Sequence, residues 1–265
     1  MGPLNVIKAL LLLFGLLFFG FIAFLACVFA KLTGPLFPNL PSKLNLIFIK
    51  PFGAWTRRVV GIKQIILNED RLHLHRPMIF FGNHQSALDL AIIGSVCTEG
   101  AVVIGKKEIK NIPLFGWYWK AAGNLLLDRG NPTTARAQME AIRNELISKR
   151  LNLAVFPEGT RSKSGEILPF KRGVFHMAAS TRLPMVPVVC SRMKGKAIWE
   201  NFELKGGHVI ISVLEPIDTT NLDMNDLSKV SDEMRNKIIV EYDRINLLAE
   251  EYDRNPNQKK EASCC

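Results

Sequence analysis

Between Lys8 and Lys31 the chain carries 22 consecutive residues, Ala9 through Ala30, without a single charge. Hydrocarbon offers no partners to backbone polar groups, so such a run must form a helix. Its length suits the roughly 30 Å of a bilayer core. A secretory leader has a shorter apolar core and a small-residue cleavage site. Ala26-Cys27-Val28 and Phe29-Ala30-Lys31 fit such a site poorly, so residues 1–32 read as an uncleaved membrane-anchoring helix, with a signal peptide as the alternative. Lys8 stands alone before the run, whereas Lys31, Lys43, Lys50, Arg57 and Arg58 follow it. The positive-inside tendency therefore places the remainder on the cytoplasmic face of the membrane. The five cysteines, Cys27, Cys97, Cys190, Cys264 and Cys265, are odd in number and scattered. They form no disulfide framework and no paired metal spacing. The terminal pair invites lipidation but reads as the end of a frayed tail.

A formal charge of +10 points to phosphate-bearing partners. These are nucleic acid or an anionic membrane surface, and the uncharged run favours the membrane. No aromatic–basic stripe suggests nucleic-acid binding. Residues 33–66 alternate breakers (Gly34, Pro35, Pro38, Pro41) with the apolar stretches Leu44–Ile49 and Phe52–Trp55. An interfacial segment with its aromatics at headgroup depth and a buried linker helix both fit.

Across residues 67–254 apolar runs and helical patterns alternate, which predicts an α/β domain with a mixed central sheet flanked by helices. The predicted strands are Met78–Phe81, Ala101–Ile104, Asn124–Leu127, Leu153–Phe156, Met185–Val189 and Val209–Leu214. The predicted helices are Ala87–Cys97, Pro132–Lys149, Gly173–Thr181 and Asn225–Tyr252. Residues 255–265 are polar and are expected to be disordered.

The chemistry concentrates in two stretches. In Phe81-Gly82-Asn83-His84-Gln85-Ser86-Ala87-Leu88-Asp89, a buried strand ends at Gly82 and Ser86 precedes a helix with Asp89 three positions on. Ser-x-x-acid is a helix N-terminus signature. His84 then lies in the strand-to-helix turn and Asp89 in the first helical turn, where the two side chains can meet. A His whose tautomer is held by a carboxylate is the machinery of general-base catalysis. A structural His beside an ordinary cap is the blander alternative, and the spacing alone does not decide.

The second stretch, Phe156-Pro157-Glu158-Gly159-Thr160-Arg161, follows a strand and delivers polar groups to its carboxyl end, where open α/β sheets bind ligands. Gly159 permits close backbone approach, Thr160 offers a hydroxyl and Arg161 a fork suited to phosphate. Ordinary turn chemistry accounts for Pro-Glu-Gly equally well. Lys106 and Lys171 stand out from the other lysines because each sits at a strand end or a helix start.

Competing motifs fail on inspection. Gly100–Lys106 nearly spells a nucleotide P-loop, but Lys107 replaces the required Ser/Thr. No Gly-x-Ser-x-Gly elbow is present, and His73-x-His75 lacks further ligands at metal spacing.

Asn83–Asp89 together with Phe156–Arg161 resembles the glycerolipid acyltransferase family, with its His-x4-Asp motif. The likeness is greatest to the short, single-anchor bacterial members that act on lysophosphatidic acid. Gly105-Lys106-Lys107, Ile112–Gly116, Gly123–Arg129, Leu168–Gly173 and Val186-Pro187-Val188 resemble the family's other blocks, in the family's order, over roughly residues 60–220. The resemblance implies a glycerolipid acyltransferase-like fold and transfer of a fatty acyl group from acyl-CoA or acyl carrier protein to the sn-2 hydroxyl of lysophosphatidic acid, giving phosphatidic acid. It implies His84 and Asp89 as the catalytic pair. Glu158, Gly159, Thr160 and Arg161 would hold the glycerol phosphate, with charge added by Lys106 and Lys171. It implies direct attack with no covalent enzyme intermediate, no cofactor and no metal. The membrane would be the inner membrane in a bacterium and the endoplasmic reticulum in a eukaryote. Another lysophospholipid or glycerol 3-phosphate as acceptor, an anchored lipid hydrolase, and a non-enzymatic lipid-binding protein are the rival readings.

Overall fold

The computed structural model describes residues 3–33, 40–74, 77–86, 88–113, 115–128, 130, 132–162, 164–193, 196–198 and 203–255. In chain order it contains α1 (Pro3–Thr33), α2 (Leu40–Val60), β1 (Ile62–Leu67), β2 (Ile79–Phe81), α3 (Asp89–Ile93) and β3 (Ala101–Lys106). Then come α4 (Phe115–Ala121), β4 (Leu125–Leu127), α5 (Pro132–Lys149), β5 (Asn152–Val155), α6 (Gly173–Thr181) and β6 (Met185–Cys190). Last are β7 (Ala197–Ile198), β8 (Glu203–Leu204), β9 (Gly207–Val213) and α7 (Leu227–Arg254).

Seven strands form one mixed sheet in the order β1-β9-β6-β2-β5-β3-β4. Every adjacent pair is parallel except β6 with β9, where Val188 faces Val213 and Cys190 faces Ile211. The expected α/β architecture with a mixed sheet is thus the one found. Because β2, β3, β4, β5 and β6 run the same way, their carboxyl ends share one edge of the sheet. Both faces are covered, so the central strands are apolar on both sides rather than alternating with polar residues. Ile79, Phe81, Val102, Leu153, Met185 and Ile210 pack toward α5, α6 and α7. Met78, Phe80, Val186, Val188, Val209 and Ile211 pack toward Val60, Leu88 and Ile92 on the other face.

The segment 33–66, for which an interfacial element and a buried linker helix both fitted, contains a 21-residue helix, α2, which continues through Pro51. A mid-helix proline costs roughly 3 kcal/mol, but here Phe48 and Ile49 are almost wholly buried and tertiary packing outweighs the lost hydrogen bond. The domain boundary placed between residues 66 and 67 falls inside β1, whose whole length pairs with β9 from Ile62–Gly207 to Leu67–Ser212. The helix expected over Ala87–Cys97 is a short α-helix from Asp89 followed by a 3-10 turn at Gly94–Val96. A Cβ at Gly94 would stand 2.7 Å from Ile49 Cγ2, so α2 passes too close for a larger residue there. The polar tail from residue 256 onward, with Cys264 and Cys265, lies outside the described residues.

The uncharged run forms α1, long and apolar enough to cross a membrane. It is not a detached stalk. Lys8 Nζ donates to Leu204 O at 2.6 Å and Trp55 Nε1 to Leu11 O at 3.0 Å. Phe19 meets Phe52 and Trp55, and Phe24 meets Trp117. Its remaining face presents large apolar side chains outward.

Asn45 joins α2 to the sheet through a buried polar network. Its amide donates to Ala101 O at 2.8 Å and to Asn124 Oδ1 at 3.0 Å. Its carbonyl accepts from Tyr118 Oη at 2.9 Å and from Asn124 Nδ2 at 2.7 Å. Removing it strands buried partners, each worth about 1–3 kcal/mol. Asn45→Ala is therefore expected to lower unfolding stability by at least about 1–3 kcal/mol, read by thermal and denaturant melts in detergent.

Candidate active site

Two loops that leave neighbouring parallel strands meet at the carboxyl edge of the sheet. β2 ends at Phe81, and the chain turns through Gly82 into the His84 turn. A Cβ on Gly82 would lie 1.9 Å from Val188 O, so only glycine lets this strand end pass β6. Asn83 then clamps the turn to β6. Its Nδ2 donates to Cys190 O at 2.8 Å and its Oδ1 accepts from Cys190 N at 2.9 Å.

His84 and Asp89 do meet. His84 Nδ1 stands 2.7 Å from Asp89 Oδ2, with the Asp89 side chain 2% and the His84 side chain 22% exposed. The same Oδ2 accepts backbone N–H groups from Gln85 at 2.6 Å and Ser86 at 2.9 Å. Ser86 Oγ in turn accepts from Leu88 N at 3.1 Å. This is the reciprocal cap expected from Ser-x-x-acid, but Asp89 is not released from the backbone to face His84. One oxygen does both. The shared carboxylate oxygen assigns the proton to His84 Nδ1, which leaves Nε2 as a base. The imidazole also lies flat on Phe156, ring centroids 4.0 Å apart and 10° from parallel.

The second loop reaches the first through its backbone and through Glu158. Glu158 Oε1 accepts from His84 N at 2.6 Å and Oε2 from Leu168 N at 3.0 Å, while Ser162 N donates to His84 O at 2.8 Å. Glu158 is 3% exposed, and burial pushes its carboxyl above the usual range, partly offset by those two N–H donors. Its carboxylate thus faces inward onto the turn. Gly159 has a φ of +69°, the left-handed region that favours glycine. The close neighbour there is Lys171, whose Cε would stand 2.8 Å from an added Cβ. Lys171 N donates to Pro157 O at 2.8 Å, which sets that lysine beside the loop.

Thr160, Arg161, Lys106 and Lys171 are exposed at this edge, and no carboxylate pairs with these three cations among the described residues. The register of Val103 with Ala154, followed onward, brings Lys106 level with Pro157. The adjacent Lys107 is occupied by Asp128 at 2.8 Å, and that lysine holds the Asp128 carboxyl below its ordinary range. Beside the His84 turn a small apolar cleft borders Gly82 and Asp89 and is walled by Phe80, Val96, Cys97, Val103, Ala154 and Val188. Among the described residues no His/Cys/Asp/Glu cluster is arranged to hold a metal.

Sequence reasoning missed Phe156 as the platform under His84, Asn83 as the clamp and Glu158 as the brace. Each acts on a partner tens of residues away, so no local spacing announces it.

Comparison with known proteins identifies the family. A family model described as acyltransferase matches residues 63–191. The 1-acyl-sn-glycerol-3-phosphate acyltransferase of Haemophilus influenzae is 31% identical over 237 residues, covering 84% of this chain and 94% of that protein. That of Escherichia coli is 32% identical over 199 residues, covering 74% and 78%. The crystal structure of the 1-acyl-sn-glycerophosphate acyltransferase of Thermotoga maritima matches the fold with a TM-score of 0.62 at 23% identity, covering 84% of this chain and 95% of that one. Fold and matches define the class: this is an enzyme, an acyltransferase of mixed α/β architecture. The chain belongs to the acyltransferase family, among its 1-acyl-sn-glycerol-3-phosphate acyltransferases.

Glu158 yields two expectations. Glu158→Ala frees the His84 turn from the second loop, and a misplacement of about 1 Å costs on the order of 10²-fold in rate. A loss of that size in kcat/KM, measured on purified enzyme, is the expected result. The second concerns pH. With its pKa raised, folded Glu158 keeps a proton that the unfolded chain has already released. Its contribution to stability therefore falls as pH rises from the ordinary glutamate value through the raised one. Glu158→Gln removes that slope, so melts at about pH 4 and about pH 7 should show the variant gaining on the wild type as pH increases.

Proposed function

We propose that the enzyme transfers a fatty acyl group from an acyl thioester to the sn-2 hydroxyl of 1-acyl-sn-glycerol 3-phosphate, giving phosphatidic acid for phospholipid synthesis. The observation that carries the mechanism is the 2.7 Å approach of His84 Nδ1 to Asp89 Oδ2, which leaves Nε2 as the free basic nitrogen. The relatives' names supply the acceptor.

A hydroxyl is a poor nucleophile at neutral pH. His84 Nε2 takes its proton as the oxygen attacks the thioester carbonyl carbon. The Asp89 carboxylate stabilises the imidazolium that forms, and the ring keeps its orientation against Phe156. The tetrahedral intermediate then expels the thiolate: the C–S bond breaks, the new C–O bond remains, and the imidazolium returns its proton to sulfur. Atoms balance without a covalent enzyme intermediate. Arg161, Thr160, Lys171 and Lys106 bind the acceptor's phosphate, with Arg161 offering its two-pronged donor. Glu158 and Gly159 act by shaping that loop. The apolar cleft beside Gly82 and Asp89 marks where the acyl chain would enter, since burying apolar surface is favourable by about 25 cal/mol per Å². Coenzyme A or acyl carrier protein carries the acyl group.

Acceptor, product and donor chain all partition into lipid, so the site must work at a membrane surface. α1 and its outward apolar face provide the attachment, and the basic residues following α1 place the catalytic domain on the cytoplasmic side. That is the inner membrane of a bacterium or the endoplasmic reticulum of a eukaryote.

Membranes carrying the protein, given a labelled acyl thioester and lysophosphatidate, are expected to make labelled phosphatidate. Release of free fatty acid without any acceptor would indicate a hydrolase instead. His84→Ala is expected to abolish transfer, a fall of at least about 10²–10⁴-fold, with folding and membrane attachment intact; residual activity above background in purified variant sinks the base assignment. Arg161→Ala should raise KM for lysophosphatidate by about 10–100-fold, the worth of a charge-assisted hydrogen bond. An unchanged KM removes Arg161 from the phosphate site.

A further inference from the structure

The last helix supplies one hydroxyl to the interior of this site from well outside the stretch 63–191 matched by the family model. Tyr242, on α7, is 3% exposed. Its Oη stands 3.0 Å from Gln85 Oε1, in the turn between His84 and Asp89. It stands 2.7 Å from Gly165 O, in the loop that follows Arg161. These are the two loops whose meeting builds the candidate active site. The single hydroxyl proton is shared between the two carbonyl oxygens. Burial raises the phenol pKa, so the proton stays in place through the neutral range.

Gln85 is held from several sides. Its Nε2 donates to Cys190 O at 3.2 Å, its Oε1 also accepts from Met193 N at 3.4 Å, and its backbone N–H lies on Asp89 Oδ2 at 2.6 Å. Those contacts assign the amide orientation: a flipped Gln85 would point its carbonyl at Cys190 O. The Gly165 side is equally tied. Gly165 N donates to Ser162 Oγ at 3.2 Å, and Ser162 N donates to His84 O at 2.8 Å. A chain of hydrogen bonds therefore runs from the Tyr242 hydroxyl to both flanks of His84, one through Gln85 and Asp89, the other through Gly165 and Ser162.

We infer that Tyr242 is a positioning residue for acyl transfer: its hydroxyl pins the Gln85 turn to the Gly165 loop and so sets the His84 imidazole against the acceptor. A buried tyrosine hydroxyl usually finds a hydrogen-bond partner, and what matters is which groups it finds. Here the partners are the two segments that carry His84 and the phosphate-binding groups. The inference rests on the reading of His84 as the base.

Tyr242→Phe keeps the ring and deletes only the hydroxyl. In purified full-length enzyme it is expected to lower kcat about 3–10-fold, the worth of a net hydrogen bond, with KM for lysophosphatidate and for acyl-CoA unchanged and the melting temperature near that of the wild type. Gln85→Ala should show a comparable loss, and the double variant should be no slower than Gln85→Ala alone, because both cut the same tie. Tyr252→Phe, on the same helix with its ring against His208, should keep wild-type kcat. Hydrogen exchange over residues 83–89 provides a readout that needs no substrate, and faster exchange in Tyr242→Phe is the expected result. Wild-type kcat in Tyr242→Phe, losses that multiply in the double variant, or unchanged exchange over 83–89 would each overturn the inference. A wild-type enzyme that transfers nothing to lysophosphatidate would instead sink the proposed function, while the exchange measurement still decides whether Tyr242 ties the turn.

Discussion

The arrangement at the sheet edge depends on one oxygen atom. Asp89 Oδ2 accepts the His84 imidazole at 2.7 Å and the backbone N–H groups of Gln85 and Ser86. Three donors converge on that one buried oxygen, so it fixes the imidazole and the turn together. The same contacts close the turn, so the imidazole cannot be misoriented without unmaking the start of α3. Helix cap and imidazole partner are a single group.

The turn is only as well placed as the loops around it. Glu158 turns a buried carboxylate onto His84 N and Leu168 N, and Phe156 supplies the flat surface beneath the ring. Asn83 grips both backbone groups of Cys190 on β6. Most polar groups here are spent on geometry, which leaves Arg161, Lys106 and Lys171 as charges open to an anionic ligand.

The attachment of α1 is also part of the domain. Contacts from Lys8 to Phe24 reach β8, α2 and α4, so any membrane that receives the outward face of α1 must lie close to the domain itself. The buried network around Asn45 ties α2 to β3 and to Asn124, and the apolar segments therefore act as a mount for the sheet.

Much was legible in the sequence because its causes are local. Uncharged length specified α1, apolar runs specified the central strands, Ser86 with Asp89 specified a helix start, and the order of the motifs indicated the family. Where the sequence misled, tertiary contact had outweighed a local signal. A proline inside a helix ordinarily disfavours it, yet α2 runs through Pro51 because Phe48 and Ile49 are buried. Ile62–Leu67 reads as linker, yet it is the sheet's edge strand because β9 pairs with it. By itself the sequence determined the fold class and the family, since apolar runs, motif spacing and residue type are properties of the chain. Only the tertiary structure decided that Glu158 faces inward, that Phe156 lies under His84 and that Tyr242 reaches Gln85 across 157 residues. Those contacts join distant segments, and the free energy that makes them comes from packing the whole sheet and its helices rather than from any one stretch.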